Sequence, residues 1–218
     1  MGEIKYTNTN EHLYDDIALW EKTEGKSLFK EMPINGNKKP LVLDFGYGFG
    51  QYLLASAYAF PEGTIYGIDG NPVCQNEISE KIKNRGINNI KLINKVAENL
   101  QEFQSNSIDL MLIYDNLHAN ATIKYMLFQE AQRIIKTGGC LSILPFHLSN
   151  WRDKQGNKKK YTTKKVIDEI SEYDFKYRGS CKTKGIHWEK CHTLYYIQKG
   201  NITFDILERM DVMNFIKE

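Results

Sequence analysis

The sequence predicts an α/β protein with a mostly parallel seven-stranded sheet and helices on both faces of that sheet. Short apolar runs alternate with helical patterns over the middle of the chain, an arrangement typical of parallel strands joined by helices. A glycine-rich turn follows the first apolar run, and strand-like segments close the chain. With 218 residues, of which 41% are apolar and 26% are charged, the chain is expected to form one soluble domain.

The N-terminal part of that domain is predicted to be a helical cap. An amphipathic stretch over residues 11–32 indicates one or two helices before the first strand. These helices either serve packing alone or also cover a ligand cleft, with Tyr14 or Trp20 facing the ligand. We therefore divide the single domain, residues 1–218, into a cap, a core and a C-terminal segment, which span residues 1–40, 41–145 and 146–218.

The most informative stretch is LVLDFGYGFG at residues 41–50. Its first three residues form an apolar run that predicts a buried strand, and Asp44 follows at the carboxyl end of that strand. A helix rich in Leu and Ala is predicted over residues 51–60. A strand, a glycine turn and a helix open a nucleotide-binding βαβ unit, because residues without a Cβ allow a tight turn and close approach of a ligand. The glycines occupy alternate positions: Gly46, Gly48 and Gly50.

The second strand is predicted over residues 64–68 and leads to Asp69. Asn71 is a favourable N-cap and Pro72 a favourable first residue for the helix that follows. A carboxylate at the end of this strand can accept hydrogen bonds from both hydroxyls of a ribose. The alternative is that Asp69 only caps the helix.

The rest of the chain continues the alternation as far as Pro145 and then changes character. The run ending at Tyr114 is almost continuously apolar, as expected of a strand covered on both faces. Gly138 and Gly139 are expected to stop the helix before the fifth strand. The predicted elements are strands over residues 89–94, 108–114, 140–144, 175–181 and 211–216, and helices over residues 122–136 and 163–173.

Four of these segments, taken together, resemble the class I S-adenosylmethionine-dependent methyltransferases. The resemblance implies a Rossmann-like sheet and S-adenosylmethionine as the cofactor. It also implies methyl transfer, for which we expect a small-molecule acceptor. The segments are VLDFGYGFG at 42–50, YGIDGNP at 66–72, IDLMLIYDNLH at 108–118 and RIIKTGGCL at 133–141.

The resemblance also implies a set of cofactor-binding residues. Tyr47 stands where the family usually has a small residue, and Val96 stands where many relatives have an aspartate. Adenine recognition is therefore expected to rest on backbone groups near Ala97 and on Glu98. Asp44 either fixes the turn or meets the methionine ammonium through water. The full set is Asp44, Gly46, Gly48, Gly50, Asp69, Gly70, Ala97, Glu98 and Tyr114.

Two histidines are candidate catalytic residues. His118 follows the fourth strand and His147 follows the fifth, so both are expected at the edge of the sheet where ligands bind in open α/β folds. The sulfonium already activates the methyl group, and a general base is required only if the acceptor must lose a proton. The alternative for each histidine is an ordinary loop residue.

Three other functions compete with this interpretation. A nicotinamide dehydrogenase would favour the spacing G-x-G-x-x-G, which is absent because position 51 is Gln. An RNA or protein methyltransferase could use the lysine-rich residues 154–165. A net charge of +2 does not indicate a nucleic-acid partner, so a solvated loop is favoured there. A cofactor-binding module without turnover is the third alternative.

The remaining composition indicates the setting of the protein. The four cysteines show no C-x-x-C pair, and residues 1–10 lack an apolar signal sequence, so a cytoplasmic location is expected. The sequence has no apolar run long enough for a membrane span. His187, Cys191 and His192 could share a metal, but a fourth ligand is missing from the pattern, and no metal site is predicted. The oligomeric state stays open.

Overall fold

The computed structural model describes residues 4–34, 36–96, 99–114, 116–117, 121–145, 152–153, 155–158, 161–184, 203–204 and 209–218. The helices that these residues form are α1 (Leu13–Lys22), α2 (Glu24–Lys30), α3 (Gln51–Ala59), α4 (Pro72–Asn84), α5 (Ala121–Ile134) and α6 (Thr163–Ser171). The strands are β1 (Leu41–Phe45), β2 (Thr64–Asp69), β3 (Ile90–Asn94), β4 (Ile108–Tyr114), β5 (Ile135–Leu144), β6 (Phe175–Lys184) and β7 (Arg209–Lys217).

The seven strands form one sheet in the order β3-β2-β1-β4-β5-β7-β6. The first five strands pair in parallel, and β7 runs antiparallel to both of its neighbours. The predicted mostly parallel seven-stranded sheet is confirmed. The chain moves outward from β1 in one direction through β2 and in the other through β4, so the carboxyl ends of β1 and β4 flank the point where the strand order reverses. Ligands of open α/β sheets bind at such a point.

Both faces of the sheet are covered by apolar layers. Val42 of β1 belongs to the layer that includes α1, α2 and α3, whereas its neighbour Leu43 belongs to the layer that includes α5 and α6. The same alternation occurs on β4, where Leu110 and Met111 lie in opposite layers. Burial on both faces explains why these strands have almost continuous apolar sequences.

The junction of α5 and β5 differs from the prediction. The helix ends at Ile134, and β5 begins at once, although the prediction continued the helix to residue 136. Ile135 pairs with Ile108, and the next aligned pair joins Cys140 to Leu110, so residues 136–139 bulge out of the ladder. The Asp109 carboxylate, which lies opposite the bulge, accepts hydrogen bonds from Lys136 Nζ at 2.8 Å and from the backbone of Leu41 at 2.8 Å. These long-range bonds favour the bulge over another helical turn.

The N-terminal helices pack as part of the core. Trp20 is completely buried, and its ring lies edge-on to Tyr52 of α3 with 5.3 Å between ring centroids. Glu21, also buried, forms an ion pair with Arg85 after α4. Tyr14 is 49% exposed. Trp20 is thus a packing residue that joins the cap to α3, and of the two aromatic residues predicted to face a ligand, Tyr14 alone has an exposed side chain.

A buried lysine joins α5, α6 and the segment between β5 and α6. Lys124 is fully buried and lies 2.8 Å from the Glu169 carboxylate of α6 and 2.8 Å from the carbonyl oxygen of Arg152. The rings of Tyr125 and Tyr161 lie 4.5 and 4.7 Å from its ammonium, and both hydroxyls donate to Glu169. We call Lys124, Tyr125, Tyr161 and Glu169 the lysine cluster.

None of the helices described is both long enough and apolar enough to cross a membrane.

Candidate cofactor site

The glycine loop over residues 46–50 begins where β1 ends and leads directly into α3. The amide of Gly46 donates to the carbonyl of Ile68 at the end of β2, at 2.7 Å, which holds the start of the loop against the neighbouring strand. Gly48 has a φ of +54°, and a Cβ placed on it would meet no described atom within 4 Å. The loop therefore presents its backbone to open space at Gly48, where a ligand can approach closely.

Asp69 ties the loop to β2 and keeps capacity for a ligand. Its Oδ2 accepts the amide of Gly48 at 2.9 Å, and its Oδ1 accepts the amide of Asn71 at 2.8 Å. A carboxylate has about four lone-pair sites, so these two bonds leave one further site on each oxygen. The side chain is only partly buried. Asp69 can thus accept two more hydrogen bonds in the arrangement that a vicinal diol needs.

Asn116 holds the loop from the other side. Its Nδ2 donates to the carbonyl oxygens of Phe45 and Tyr114 at 2.9 Å each, and to that of Gly46 at 3.3 Å. The side-chain amide occupies the space that a Cβ on Gly46 would need, and Gly46 has a φ of +73°. Asn116 was not predicted as a site residue. The available indication was its position just beyond the apolar β4, inside the segment that resembles the fourth-strand motif.

Lys81 of α4 holds the far end of the loop. Its ammonium donates to the carbonyl of Phe49 at 3.1 Å and pairs with Glu77 at 2.6 Å. We call Asp69, Asn116 and Lys81 the loop clamp, because these side chains come from different elements and bond to the loop backbone or to its first strand. The clamp fixes the loop before any ligand arrives, which is the preorganisation that tight binding requires.

Asp44 is the buried acid of the site. It is 2% exposed, and its Oδ2 has no hydrogen-bond partner among the residues that the structure describes. Burial, and to a smaller extent the nearby Asp69 carboxylate, together raise the pKa of Asp44 to about 8. Burial also raises the pKa of the Tyr47 hydroxyl, whose oxygen is buried and has no described partner. A carboxyl in such a place is neutral at pH 7 unless a cation joins it.

Two exposed apolar side chains follow β2 and β3, the strands that pair at Asp69 and Asn94. Val96, after β3, is 78% exposed, and Val73, in the first turn of α4, is 61% exposed. Val96 packs against Gly70, where an added Cβ would lie 2.6 Å from the Cγ2 of Val96. Gly70 therefore leaves room for Val96 beside the carboxylate. We call Val96 and Val73 the apolar ledge, because exposed apolar side chains suit the face of a flat heterocycle.

Tyr114 lies in the wall of the site. It is 6% exposed, its hydroxyl lies 2.8 Å from the Ser142 hydroxyl, and its ring meets Tyr52 at 4.7 Å between centroids. Burial holds the pKa of this hydroxyl well above its ordinary value. A cofactor contact by Tyr114 stays a prediction, and its described contacts are those of a packing residue.

Several predicted site residues lie outside the described part of the chain. They are Ala97, Glu98, His118 and His147, together with His187, Cys191 and His192 of the considered metal site. Their roles stay predictions. Among the residues that the structure does describe, no group of three or more His, Cys, Asp or Glu side chains could hold a metal ion. The described part of the site combines a carboxylate that can accept a diol, a buried acid and an apolar ledge around a glycine loop.

Comparison with known proteins agrees with this geometry. Residues 42–139 match the family model described as a methyltransferase domain. The demethylmenaquinone methyltransferase of Geobacillus stearothermophilus is 33% identical over 115 residues, which are 52% of this chain and 47% of that protein. A tRNA (guanine-N(7)-)-methyltransferase of Chlorobium phaeobacteroides is 34% identical over 92 residues, which are 40% of this chain and 45% of that protein. The matched segments thus span about half the length of these relatives.

A solved structure shows the same fold over the whole chain. The geranyl diphosphate C-methyltransferase of Streptomyces coelicolor, determined with Mg²⁺, geranyl diphosphate and S-adenosyl-L-homocysteine, superposes with a TM-score of 0.63 at 9% identity. The match covers 100% of this chain and 88% of that one. The fold and site define an α/β protein with a glycine loop where the strand order of a mostly parallel sheet reverses. The match of residues 42–139 to a methyltransferase domain agrees with the resemblance of the sequence to the class I S-adenosylmethionine-dependent methyltransferases.

Proposed function

We propose that the chain binds S-adenosylmethionine at the glycine loop and transfers its methyl group to a small-molecule acceptor. The observation that carries the proposal is the Asp69 carboxylate, which is held by two backbone amides and retains an acceptor site on each oxygen. It lies beside the open backbone of Gly48 on one side and the apolar ledge on the other. This order of features matches a ligand with an amino acid, a ribose and an adenine in a row.

Each part of the cofactor has a partner in this arrangement. Asp69 accepts the two ribose hydroxyls, and such hydrogen bonds to a charged group are among the stronger ones in proteins. Val96 and Val73 cover the adenine. This apolar contact takes the place of the aspartate contact that many relatives have at the position of Val96. The methionine part lies along Gly48, with its ammonium near Asp44. Ala97 and Glu98 complete the adenine site by the family resemblance.

The chain contributes mainly position to the reaction. When bound, the cofactor supplies a methyl group that its sulfonium has already activated for displacement. The loop clamp holds the binding backbone still, and positioning of this kind accounts for much of the rate of a two-substrate reaction. His118 and His147 remain the candidates for a base. If one of them acts so, kcat/KM falls below a pH of about 6.5.

A small acceptor is favoured over RNA. Demethylmenaquinone and geranyl diphosphate are small molecules named for two similar proteins, whereas a third is named for tRNA. The net charge of +2 gives little general attraction for a polyanion. Replacing Lys158, Lys159 and Lys160 by Glu separates the two classes, because removal of phosphate contacts flattens the salt dependence of RNA binding. Turnover within a few-fold of the original protein supports the small acceptor.

Calorimetry with three ligands tests the proposal. S-adenosylmethionine and S-adenosylhomocysteine are expected to bind, and NAD is not. Transfer of a radiolabelled methyl group from the cofactor to a cell extract, separated into metabolite, RNA and protein fractions, then identifies the acceptor class. Binding of NAD without binding of S-adenosylmethionine would refute the assignment. Binding of the cofactor without transfer to any fraction would support the alternative of a module without turnover.

A further inference from the structure

We propose that Asp44 carries a proton in the free protein and releases it when the cofactor's ammonium binds, so that cofactor binding is an exchange of one positive charge for another. The inference rests on the proposed function, because it requires an S-adenosyl ligand at the glycine loop. It concerns a property of this chain's own carboxyl group. It therefore has a readout that does not depend on methyl transfer.

The position of Asp44 provides the first part of the argument. The residue is the next to last of β1, two positions before Gly46 of the glycine loop, and it is 2% exposed. Its Oδ2 is buried and has no hydrogen-bond partner in the described part of the chain. An ionised carboxylate would be expensive there, since no donor of the described chain offsets the lost hydration at Oδ2. A neutral carboxyl group has a much smaller cost.

The charged surroundings provide the second part. Asp69 at the end of β2 acts on Asp44 as a like charge, and in the described chain no lysine or arginine offsets it. Tyr47 in the loop and Tyr114 on β4 also interact electrostatically with Asp44, and burial keeps both hydroxyls neutral by raising their pKa values. Cys74 of α4 acts on Tyr47. The groups around Asp44 are therefore neutral or negative.

Asp69 differs because it accepts two backbone amides, the hydrogen bonds that a carboxylate favours. Two neighbouring acids in such different settings divide their roles, with the buried Asp44 as the neutral one. A ligand cation beside Asp44 supplies the positive charge that the described groups around Asp44 do not provide. The neutral carboxyl then becomes a carboxylate paired with the ammonium, and its proton passes to the solvent and buffer, which balances the exchange.

Calorimetry at pH 6.5 in buffers of different ionisation enthalpy measures the protons released. At this pH an amino acid ammonium is almost fully protonated, since its pKa is about 7.7–8.0. S-adenosylmethionine and S-adenosylhomocysteine should each release about one proton, because both contain the ammonium. Methylthioadenosine keeps the adenosine but lacks the amino acid, and it should release none. The affinity for both S-adenosyl ligands should rise about tenfold per pH unit between pH 5.5 and 7.

Two variants complete the test. Asp44→Asn should bind S-adenosylhomocysteine more weakly and without proton release. Asp69→Asn is the matched control: it should also weaken binding but keep most of the release, because burial is the largest cause of the raised pKa of Asp44. Binding by the original protein without proton release would overturn the inference. Equal release by Asp44→Asn, or release with S-adenosylmethionine alone, would overturn it as well. Failure of every adenosine ligand to bind would instead refute the proposed function, and this inference with it.

Discussion

The loop clamp and the lysine cluster are both polar networks, and they differ in how they satisfy their charged groups. In the clamp, side chains from β2, α4 and the end of β4 bond to backbone groups of the loop and β1, and the Asp69 carboxylate stays partly exposed. In the lysine cluster, the Lys124 ammonium is fully buried between a carboxylate, a carbonyl and two aromatic rings.

This difference indicates that the clamp serves ligand binding, whereas the lysine cluster serves the stability of the fold. The clamp leaves acceptor sites on Asp69 available, so its charge can serve a ligand. In the lysine cluster the ammonium and the carboxylate pair with each other. A buried pair of this kind stabilises the fold only while both partners remain. Substitutions in the lysine cluster should therefore lower stability most, whereas substitutions in the clamp should lower cofactor affinity most.

The largest effect is expected for Lys124→Met. The change removes the cation and leaves the Glu169 carboxylate, which is 12% exposed, with only the two tyrosine hydroxyls as partners. Breaking a buried ion pair costs about 3–5 kcal/mol of unfolding free energy. Urea denaturation measures this loss. The matched control is Lys164→Met on the outer surface of α6, where the pair with Asp168 is exposed and i,i+4 spaced and contributes only about 0.3–0.5 kcal/mol. Equal losses in the two variants would show that the buried pair contributes no more to stability than an exposed one.

A smaller effect, on affinity, is expected for Asp69→Ala. Loss of hydrogen bonds to a charged group should weaken binding of S-adenosylhomocysteine by about 1.5–3 kcal/mol, a factor of roughly 10 to 150 in Kd. Isothermal calorimetry measures this change. Asp168→Ala removes an exposed carboxylate far from the clamp in sequence and serves as the control. An unchanged Kd in Asp69→Ala would take this residue out of the site.

The smallest effect of the three is expected for Asn116→Ala. Its amide bonds only to backbone carbonyls, so its loss should loosen the loop without removing a ligand contact. A neutral hydrogen bond contributes about 0.5–1.5 kcal/mol. If this free energy must be spent on ordering the loop when the ligand binds, Kd rises about two- to twelve-fold. If Asn116→Ala weakened binding more than Asp69→Ala, Asn116 would have to contact the ligand itself.

Local patterns were sufficient to predict the main elements of the fold. The strand ends, the glycine loop and the start of α4 follow from residues within a few positions of each other. Asn71, for example, caps α4 by accepting the amide of Val73 at 3.0 Å, as its place before Pro72 predicts. The bulge before Cys140 was missed because Lys136, which lies in it, bonds to the Asp109 carboxylate, and the two residues are 27 positions apart in the sequence.

The site was predicted less completely for the same reason. Asp44, Asp69 and the glycines stand in a short motif, but Asn116 reaches the loop from 71 residues beyond Phe45, and Lys81 from 32 residues beyond Phe49. Spacing in sequence carries no sign of such contacts. The raised pKa of Asp44 was also beyond prediction, because it depends on burial and on the Asp69 carboxylate. The lysine cluster joins residues 45 positions apart, and nothing near Lys124 in the sequence indicates that it is buried.

The most direct test of the central claim is a crystal structure of the protein with S-adenosylhomocysteine. The ribose hydroxyls should lie within hydrogen-bond distance of Asp69 Oδ1 and Oδ2, with the two amides of Gly48 and Asn71 still bonded to the same carboxylate. The adenine should lie against Val96, and the ammonium should face Asp44. A ligand bound elsewhere, or bound at the loop with its ribose away from Asp69, would contradict the account.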